Sequence, residues 1–512
     1  MKTTYKIVQQ VFLGMILVVT LVSCKKFLDI KPDTSLTTGN AYNSAQDIEN
    51  AITGAYRAFY YEYYIWDNVL LSDVRSDNAY AGGGGDQPIL AYDELNISTG
   101  NNRMLADWSQ LYIGIGRCNA ILNKIDAIAD PLLDKNSRRS QIKGEAAFLR
   151  AFHYYQLVKQ WGGVPLELNS NSSDPAKTNL PRASEKEVYD QIVKDLELAV
   201  TNLPDTYNGP SGSVTDNIPS VNKVRATKGA ANALLAKVWA QRSDRDYNKV
   251  LQYCNAVIGS PAGYSLLANY DHLFDGDHYS NAESILEVAF IGGNWDVSNW
   301  GVQLYLAPED GWQKYCVPSR NLVNAYDAEG DNVRKSANIT YFKDVPWADE
   351  NWNPCQDNAV SVPFNFKQRH PDGWNSGDRY YLLRLADIIL LKAEAQNETG
   401  NFTLAATTLN SVRSRVGLAP VTGTSQAQMR TKILNERRLE LAFEAQRWDD
   451  LLRSGQAVTI MNSLGEVKYT CAGGTPSAPV AISYNCNQNK LLLPIPQGER
   501  DANPSLTQNP GY

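Results

Sequence analysis

The 512-residue chain carries 48 Lys and Arg against 55 Asp and Glu, with only four His, for a formal net charge of −7. That balance argues against nucleic acid as a partner, because phosphate binding needs clustered Lys and Arg. With 20% charged residues, 28 Tyr and 11 Trp, the composition is that of a globular protein rich in amphipathic rings, long enough for two or three domains.

At the N-terminus, Lys2 and Lys6 precede an apolar run from Val11 to Val22. This run is shorter than the roughly 20 residues a permanent spanning helix needs, but it suits the apolar core of a signal peptide. It ends Leu21-Val22-Ser23-Cys24, which resembles a bacterial lipobox. The resemblance implies cleavage after residue 23 and lipidation of Cys24, where several acyl chains give stable anchoring to a membrane. An ordinary signal peptide followed by a chance cysteine is the alternative. Loss of residues 1–23 removes Lys2 and Lys6 and no acid, which takes the charge from −7 to −9. No second apolar stretch of spanning length follows, so the rest is expected to be water-soluble. Residues 24–44, with Pro32 and Gly39, read as a tether.

Helical periodicity then dominates, and the expected fold is mostly α. Ile48, Ile52, Tyr56 and Phe59 form one stripe of a helix over Gln46–Tyr64. Further helices are expected near Trp108–Ala129, Ser137–Gln160, Ser184–Leu203, Arg225–Gln241 and Asn248–Ile258. The fourth opens Ser184-Glu185-Lys186-Glu187, a capping-box pattern. Near the C-terminus, Leu382, Leu385, Ala386, Ile389 and Ala393 line a helix face and Gly400 ends it. Ala405, Leu409 and Val412 then line a second helix. Small residues at this spacing resemble a tetratricopeptide pair, since small side chains let two helices approach closely. Arg225–Ile258 looks like another such pair. Leu434, Leu441, Ala445, Trp448 and Leu452 make a further stripe, with Arg437/Glu440 and Glu444/Arg447 as i,i+3 ion pairs.

Two stretches are irregular. Between about Pro261 and Asp378 periodicity fades, a short strand is expected at Ser284–Phe290, and six tryptophans gather: Trp295, Trp300, Trp312, Trp347, Trp352 and Trp374. Ser72–Asn101 carries Asp73, Arg75, Asp77, Asn78, Tyr80 and the run Gly82–Gly85, which no G-K-[ST] follows and which therefore reads as a flexible loop. None of the six cysteines after Cys24 lies in a C-x-x-C pair, so zinc-ribbon and thioredoxin-type sites are not expected. Cys471 and Cys486 flank a Gly/Ser/Pro-rich stretch and are the expected disulfide. Cys118 and Cys254 read as small buried residues in helices. His272, Asp275, Asp277 and His278 form a compact cluster with metal-ligand chemistry, read here as a polar surface turn. There is no H-E-x-x-H and no G-x-S-x-G, so neither a catalytic residue nor a cofactor is expected.

Four segments taken together resemble one family. They are Cys24-Lys25-Lys26-Phe27-Leu28-Asp29, the stretch from Pro318 to Arg334, the run from Asn435 to Leu451, and the ending from Leu493 to Tyr512. The proline-rich ending reads as an extended tail packed over the domain. The chain is similar throughout its mature length to the SusD/RagB family of surface nutrient-binding lipoproteins. That resemblance implies one domain over residues 45–512, with a tetratricopeptide-like scaffold, long loops and a few short strands. It implies an outer-membrane lipoprotein at the cell surface, paired with a SusC-like TonB-dependent transporter of the kind Bacteroidetes encode in nutrient loci. The cargo it implies is a glycan, or sometimes a peptide.

Sugar rings present apolar C–H faces rimmed by hydroxyls, so a site for them needs aromatic plates and planar polar groups. The candidates are Trp295, Trp300, Trp312 and Tyr315 from one irregular stretch. The other contributes Asp73, Arg75, Asp77, Asn78 and Tyr80, with Trp66 nearby. For each tryptophan the competing reading is burial in a loop-rich core, and for Asp73–Asn78 it is a structural ion-pair turn. A non-catalytic glycan binder and a peptide-binding or scaffolding lid on the same transporter are the two functions that follow.

Overall fold

Ser184 starts its helix as its side chain dictates. Its hydroxyl accepts from the Glu187 N–H while the Glu187 carboxylate reaches back to the Ser184 N–H, and the helix runs Glu185–Asn202. Asn101, Thr227 and Asp246 likewise cap Asn102–Lys124, Lys228–Gln241 and Tyr247–Ile258. The computed structural model describes residues 42–82, 86–169, 179–209, 219–305, 314–343, 345 and 347–512. Cys24, the leader and nearly all of the tether lie outside the described residues, as do Gly83–Gly85 and Trp312.

The helices stack in chain order. Asn102–Lys124 packs on Arg138–Trp161, which packs on Glu185–Asn202, then Lys228–Gln241, then Tyr247–Ile258. Leu385–Glu398 continues the stack on Tyr247–Ile258, although more than a hundred residues intervene, and Phe402–Arg415 and Gln426–Leu441 follow. Small residues permit this spacing, as the tetratricopeptide pattern predicts. A Cβ at Gly114 would lie 2.6 Å from His153 Nε2 on the neighbouring helix. Lys228–Gln241 is buried from Gly229 through Val238 on all its sides, and its alanines let flanking helices close in. Cys118 and Cys254 are buried in their helices. No helix among the described residues is long and apolar enough to cross a membrane.

Several expectations are corrected. The first helix stops at Tyr56 and tightens to a 3₁₀ turn over Arg57–Tyr60. The chain then breaks at Tyr61 (φ −78°, ψ 155°) and resumes as π-helical turns at Tyr63–Asp67 and Leu70–Val74, which send Tyr63, Tyr64 and Trp66 into the core. Leu382 belongs to a strand, Tyr380–Arg384, that pairs antiparallel with Ser284–Val288. The loop-rich stretch holds two helices, Arg320–Glu329 and Asn332–Asn338. The tail contains one short helix, Gln497–Ala502, which starts directly after Pro496. Proline obstructs a helix interior but not its start. The disulfide joins Cys355 to Cys471, with Cα atoms 5.0 Å apart, and Cys486 is a buried free thiol.

The stripe through Asn435–Leu452 is also not one helix. Gln426–Leu441 ends, the chain turns through Phe443 (φ 64°) and Ala445 (φ 56°), and Arg447–Arg453 begins. The i,i+3 pairs are therefore replaced by long-range ones. Arg437 binds Asp387 at 2.7 Å and Asp450 at 2.9 Å. Glu440 receives Arg384 at 2.7 Å and Arg334 at 3.1 Å, and Arg384 also reaches Glu444 and Glu283. These groups are buried, and each charge is matched. The segment is structural, as its pattern predicts, but it ties the last helices to the central strands instead of its own surface.

Candidate carbohydrate-binding platform

Three loops, carrying Tyr315, Trp300–Leu304 and Asp372–Trp374, meet beside the first π-helical turn. Glycine brings the second of them in. A Cβ at Gly301 would lie 2.7 Å from Ile65 Cγ2, so only glycine lets the Trp300–Leu304 turn sit directly on Ile65 and Trp66. Tyr305 then donates its hydroxyl to the Trp66 carbonyl at 3.0 Å. The third loop carries Asp372, Gly373 and Trp374 at φ values of 43°, 53° and 84°. Positive φ at a tryptophan is rare and costs energy, and such strain gathers at binding sites. Here it is held by neighbours. The Gly293 N–H donates to the Asn375 carbonyl at 3.0 Å and the Asn299 N–H to Ser376 at 2.8 Å.

The result is a continuous run of rings. Trp374 lies 6.3 Å from Trp295, which stacks on Trp300 at 5.9 Å with planes 12° apart. Trp300 meets Trp66 edge-on at 6.1 Å, and Trp66 is 5.7 Å from Tyr315. Exposure peaks at Trp295 and falls from there toward the core. Trp295 is 55% exposed, Trp300 and Trp374 are half-buried, and Trp66 and Tyr315 are buried. Trp66 and Tyr315 thus form the footing, and Trp295, Trp300 and Trp374 form the face. Trp312 falls outside the described residues.

Polar groups gather at the footing. The Arg103 guanidinium sits 4.2 Å over the Trp66 ring and pairs with Glu62 and, at 3.2 Å, with Asp67. Trp66 Nε1 donates to Glu62 at 3.2 Å, and Asp86 lies 3.7 Å from Arg103. Burial pushes the Asp67 carboxyl up to about 7 despite the Arg103 charge, and burial raises its neighbour Asp107 as well. Glu62 and Asp86 keep a third of their side-chain surface in solvent, so carboxylates stand beside the rings.

The other predicted group is placed elsewhere. Asp73, Arg75, Asp77, Asn78 and Tyr80 are buried, each on a protein partner. Asp73 accepts from the N–H groups of Phe443 at 2.8 Å and Ala445 at 3.0 Å, which holds the left-handed turn there. Arg75 donates to the Lys490 carbonyl at 2.7 Å and lies over Trp448. Asp77 is gripped by Arg447 at 2.7 and 2.8 Å and by Arg438. Burial alone would raise its carboxyl, but the two arginines outweigh it and hold it at about 2. Asn78 accepts from Arg438 at 2.9 Å, and Tyr80 donates to Asp349 at 2.8 Å. In this segment the ion-pair turn describes the contacts. Trp347 and Trp352 pack around Val345, Val362 and Phe364, a small separate core.

Sequence reasoning did not single out Trp374, Glu62 or Arg103. Trp374 carried a signal, since Pro371-Asp372-Gly373-Trp374 is a turn that presents its last residue. Glu62 and Arg103 carried none. The clefts of about 460 and 860 Å³ are lined by other residues.

Comparison with known proteins agrees with this architecture. The profile described as "SusD family" matches residues 355–512, and one described as "Starch-binding associating with outer membrane" matches residues 26–239. The chain belongs to the SusD/RagB family. A SusD-like protein, P2, from Formosa agariphila is 27% identical over 97% of this chain and 98% of its own. A solved laminarin-binding SusD-like protein superimposes with a TM-score of 0.72 at 27% identity, over 92% of this chain and 100% of that one. A SusD superfamily structure from Bacteroides vulgatus gives 0.74 at 21% identity, over 91% and 99%.

Proposed function

We propose that this SusD-family protein captures oligo- or polysaccharide at the cell surface on the Trp295–Trp300–Trp374 face. It then delivers the cargo to a SusC-like TonB-dependent outer-membrane transporter, working from a lipid anchor at Cys24. The observation that carries the reading is the ring run itself: an exposed tryptophan stacked on a second, with a third beside it and carboxylates at the footing. A row of adjacent rings led by an exposed tryptophan offers successive sugar rings of a chain one stacking surface after another. The name of the laminarin-binding relative and the starch-binding family description support the same ligand class. The lipobox-like Leu21–Cys24 supports the anchor, and an anchored binder without a pore of its own needs a transporter to pass cargo inward.

A glycan array read beside a peptide pool tests the ligand. Binding to a defined glycan class, without release of reducing ends, is expected. Binding confined to peptides would replace the ligand, and no binding to either would favour a scaffolding lid. Extraction in mild detergent should recover a barrel-sized partner, and a solitary monomer under every mild condition would refute the pairing.

A further inference from the structure

Three of the four histidines of the chain, His272, His278 and His370, fall on one side of the loop-rich region, and two of them touch. The rings of His272 and His278 stack face to face, with centroids 3.8 Å apart and planes 5° apart. Asp275 lies against them, its Oδ2 2.7 Å from His278 Nδ1. One ligand-capable atom from each of His272, Asp275 and His278 lies within 4.8 Å of the others. We propose that His272, Asp275 and His278 form a binding site for a divalent late transition metal, of which zinc is the test case.

The donor set decides the class of ion. Two imidazoles and one carboxylate are a zinc-type set, whereas Ca²⁺ and Mg²⁺ take cages of oxygen. Bonds of about 2.0–2.1 Å in a tetrahedron separate ligand atoms by roughly 3.3 Å. The ligand atoms of His272, Asp275 and His278 lie within 4.8 Å of one another, so closing on an ion needs an approach of at most about 1.5 Å and a tilt of the two parallel rings. Closing the remaining gap moves only side chains that are half-buried or exposed.

The loop fixes the donors from behind. The Asp277 N–H donates to Asp275 Oδ1 at 2.9 Å, and Asn281 donates to the His278 carbonyl at 2.9 Å. Gly276, at φ 81°, lets His370 close on the turn: a Cβ there would stand 2.9 Å from the His370 ring. His370, held through Nδ1 by Asp378 at 2.7 Å, stands behind the turn, and its ring nitrogens are not among the mutually close donor atoms. Such outer partners orient a metal-binding loop. Three protein ligands leave a fourth position for water or a small ligand.

The test is calorimetric titration of ZnCl₂ into the purified protein, prepared without a polyhistidine tag and freed of metal by chelation. One equivalent should bind. His272→Ala and His278→Ala should each weaken binding by at least about tenfold, while His370→Ala should retain it. Cobalt should give the visible absorption of a low-coordinate site in the wild type and lose it in both variants. Equal thermal melting of apo wild type and variants establishes that they fold. Absence of stoichiometric zinc uptake by the wild type would overturn the proposal. So would undiminished uptake by both variants, or displacement of zinc by an equal concentration of Ca²⁺.

Discussion

Replacing Trp295 by Ala tests the platform most directly, because the structure sets the size of the effect. The ring is 55% exposed and its inner face already rests on Trp300. Of the roughly 250 Å² a tryptophan offers, about 140 Å² then faces solvent, and a sugar on the free face would cover about half of that. At about 25 cal/mol per Å², ~70 Å² amounts to ~1.8 kcal/mol, or about a twentyfold rise in Kd. Trp300 becomes uncovered in the variant and can take over part of the contact, so the double replacement of Trp295 and Trp300 should cost more. Calorimetry against the best glycan from the array reads the change. Stability should move by no more than about 0.5 kcal/mol, since the side chain is surface-exposed. Recovery of the barrel partner should also be unchanged. Undiminished affinity in a folded double variant would refute the platform. Lost partner recovery with intact affinity would assign these rings to the transporter interface instead.

Other outcomes follow from single groups. Cys24→Ala should leave the protein unacylated and lost from the outer-membrane fraction, and unchanged retention there would sink the anchor. The Cys355–Cys471 bond spans 116 residues, so replacing both cysteines by Ser should cost about 2–4 kcal/mol in denaturant unfolding. A non-reducing peptide map should link this pair and leave Cys486 free. Burial raises the Asp93 carboxyl to about 8, with the Ala81 N–H as its hydrogen-bond donor. Its folded form therefore holds a proton that the unfolded chain releases near 3.8, and stability from it declines as pH rises from there to about 8. Urea midpoints should thus fall less between pH 5 and pH 8 in Asp93→Asn than in the wild type, and parallel losses would contradict the assignment.

Much of the scaffold was legible in the sequence because its causes are local. A cap and its partner sit three residues apart in Ser184–Glu187, and the alanines of Lys228–Gln241 announce close packing without knowledge of the neighbour. What was not legible depends on partners distant in the chain. The motif from Asn435 to Leu451 reads as a helix with its own ion pairs. Its turn at Phe443 and Ala445 exists because Asp73, some 370 residues earlier, supplies the carboxylate that holds it. Asp73, Asp77 and Asn78 have the chemistry of a sugar site, and Arg438, Arg447 and two backbone N–H groups consume that chemistry. Cys471 had a plausible partner 15 residues away, yet the fold brings Cys355 to it. Spacing cannot reveal such pairings, since each is decided by which loops the stack of helices brings together.

The same dependence explains how loops can hold a binding face. Exposed rings on slack loops would have to be ordered at each encounter, at about 0.5–1.5 kcal/mol for each immobilised side chain. Here the ordering is done in advance. The turn at Asp372–Trp374 sits in a backbone region that tryptophan resists, and it stays there because the Gly293 and Asn299 N–H groups donate to Asn375 and Ser376. Ser298 in turn donates its hydroxyl to the Trp374 carbonyl at 3.3 Å. Trp295 is braced by Trp300, Trp300 by Trp66, and Trp66 by the Arg103 guanidinium and by a π-helical turn whose residues are buried. Trp295 and Trp300 are therefore each supported by a ring more buried than themselves, back to the core. The strain at Trp374 and the burial of Trp66 are two parts of one arrangement, in which the scaffold bears the cost of order and the exposed face stays open to bind.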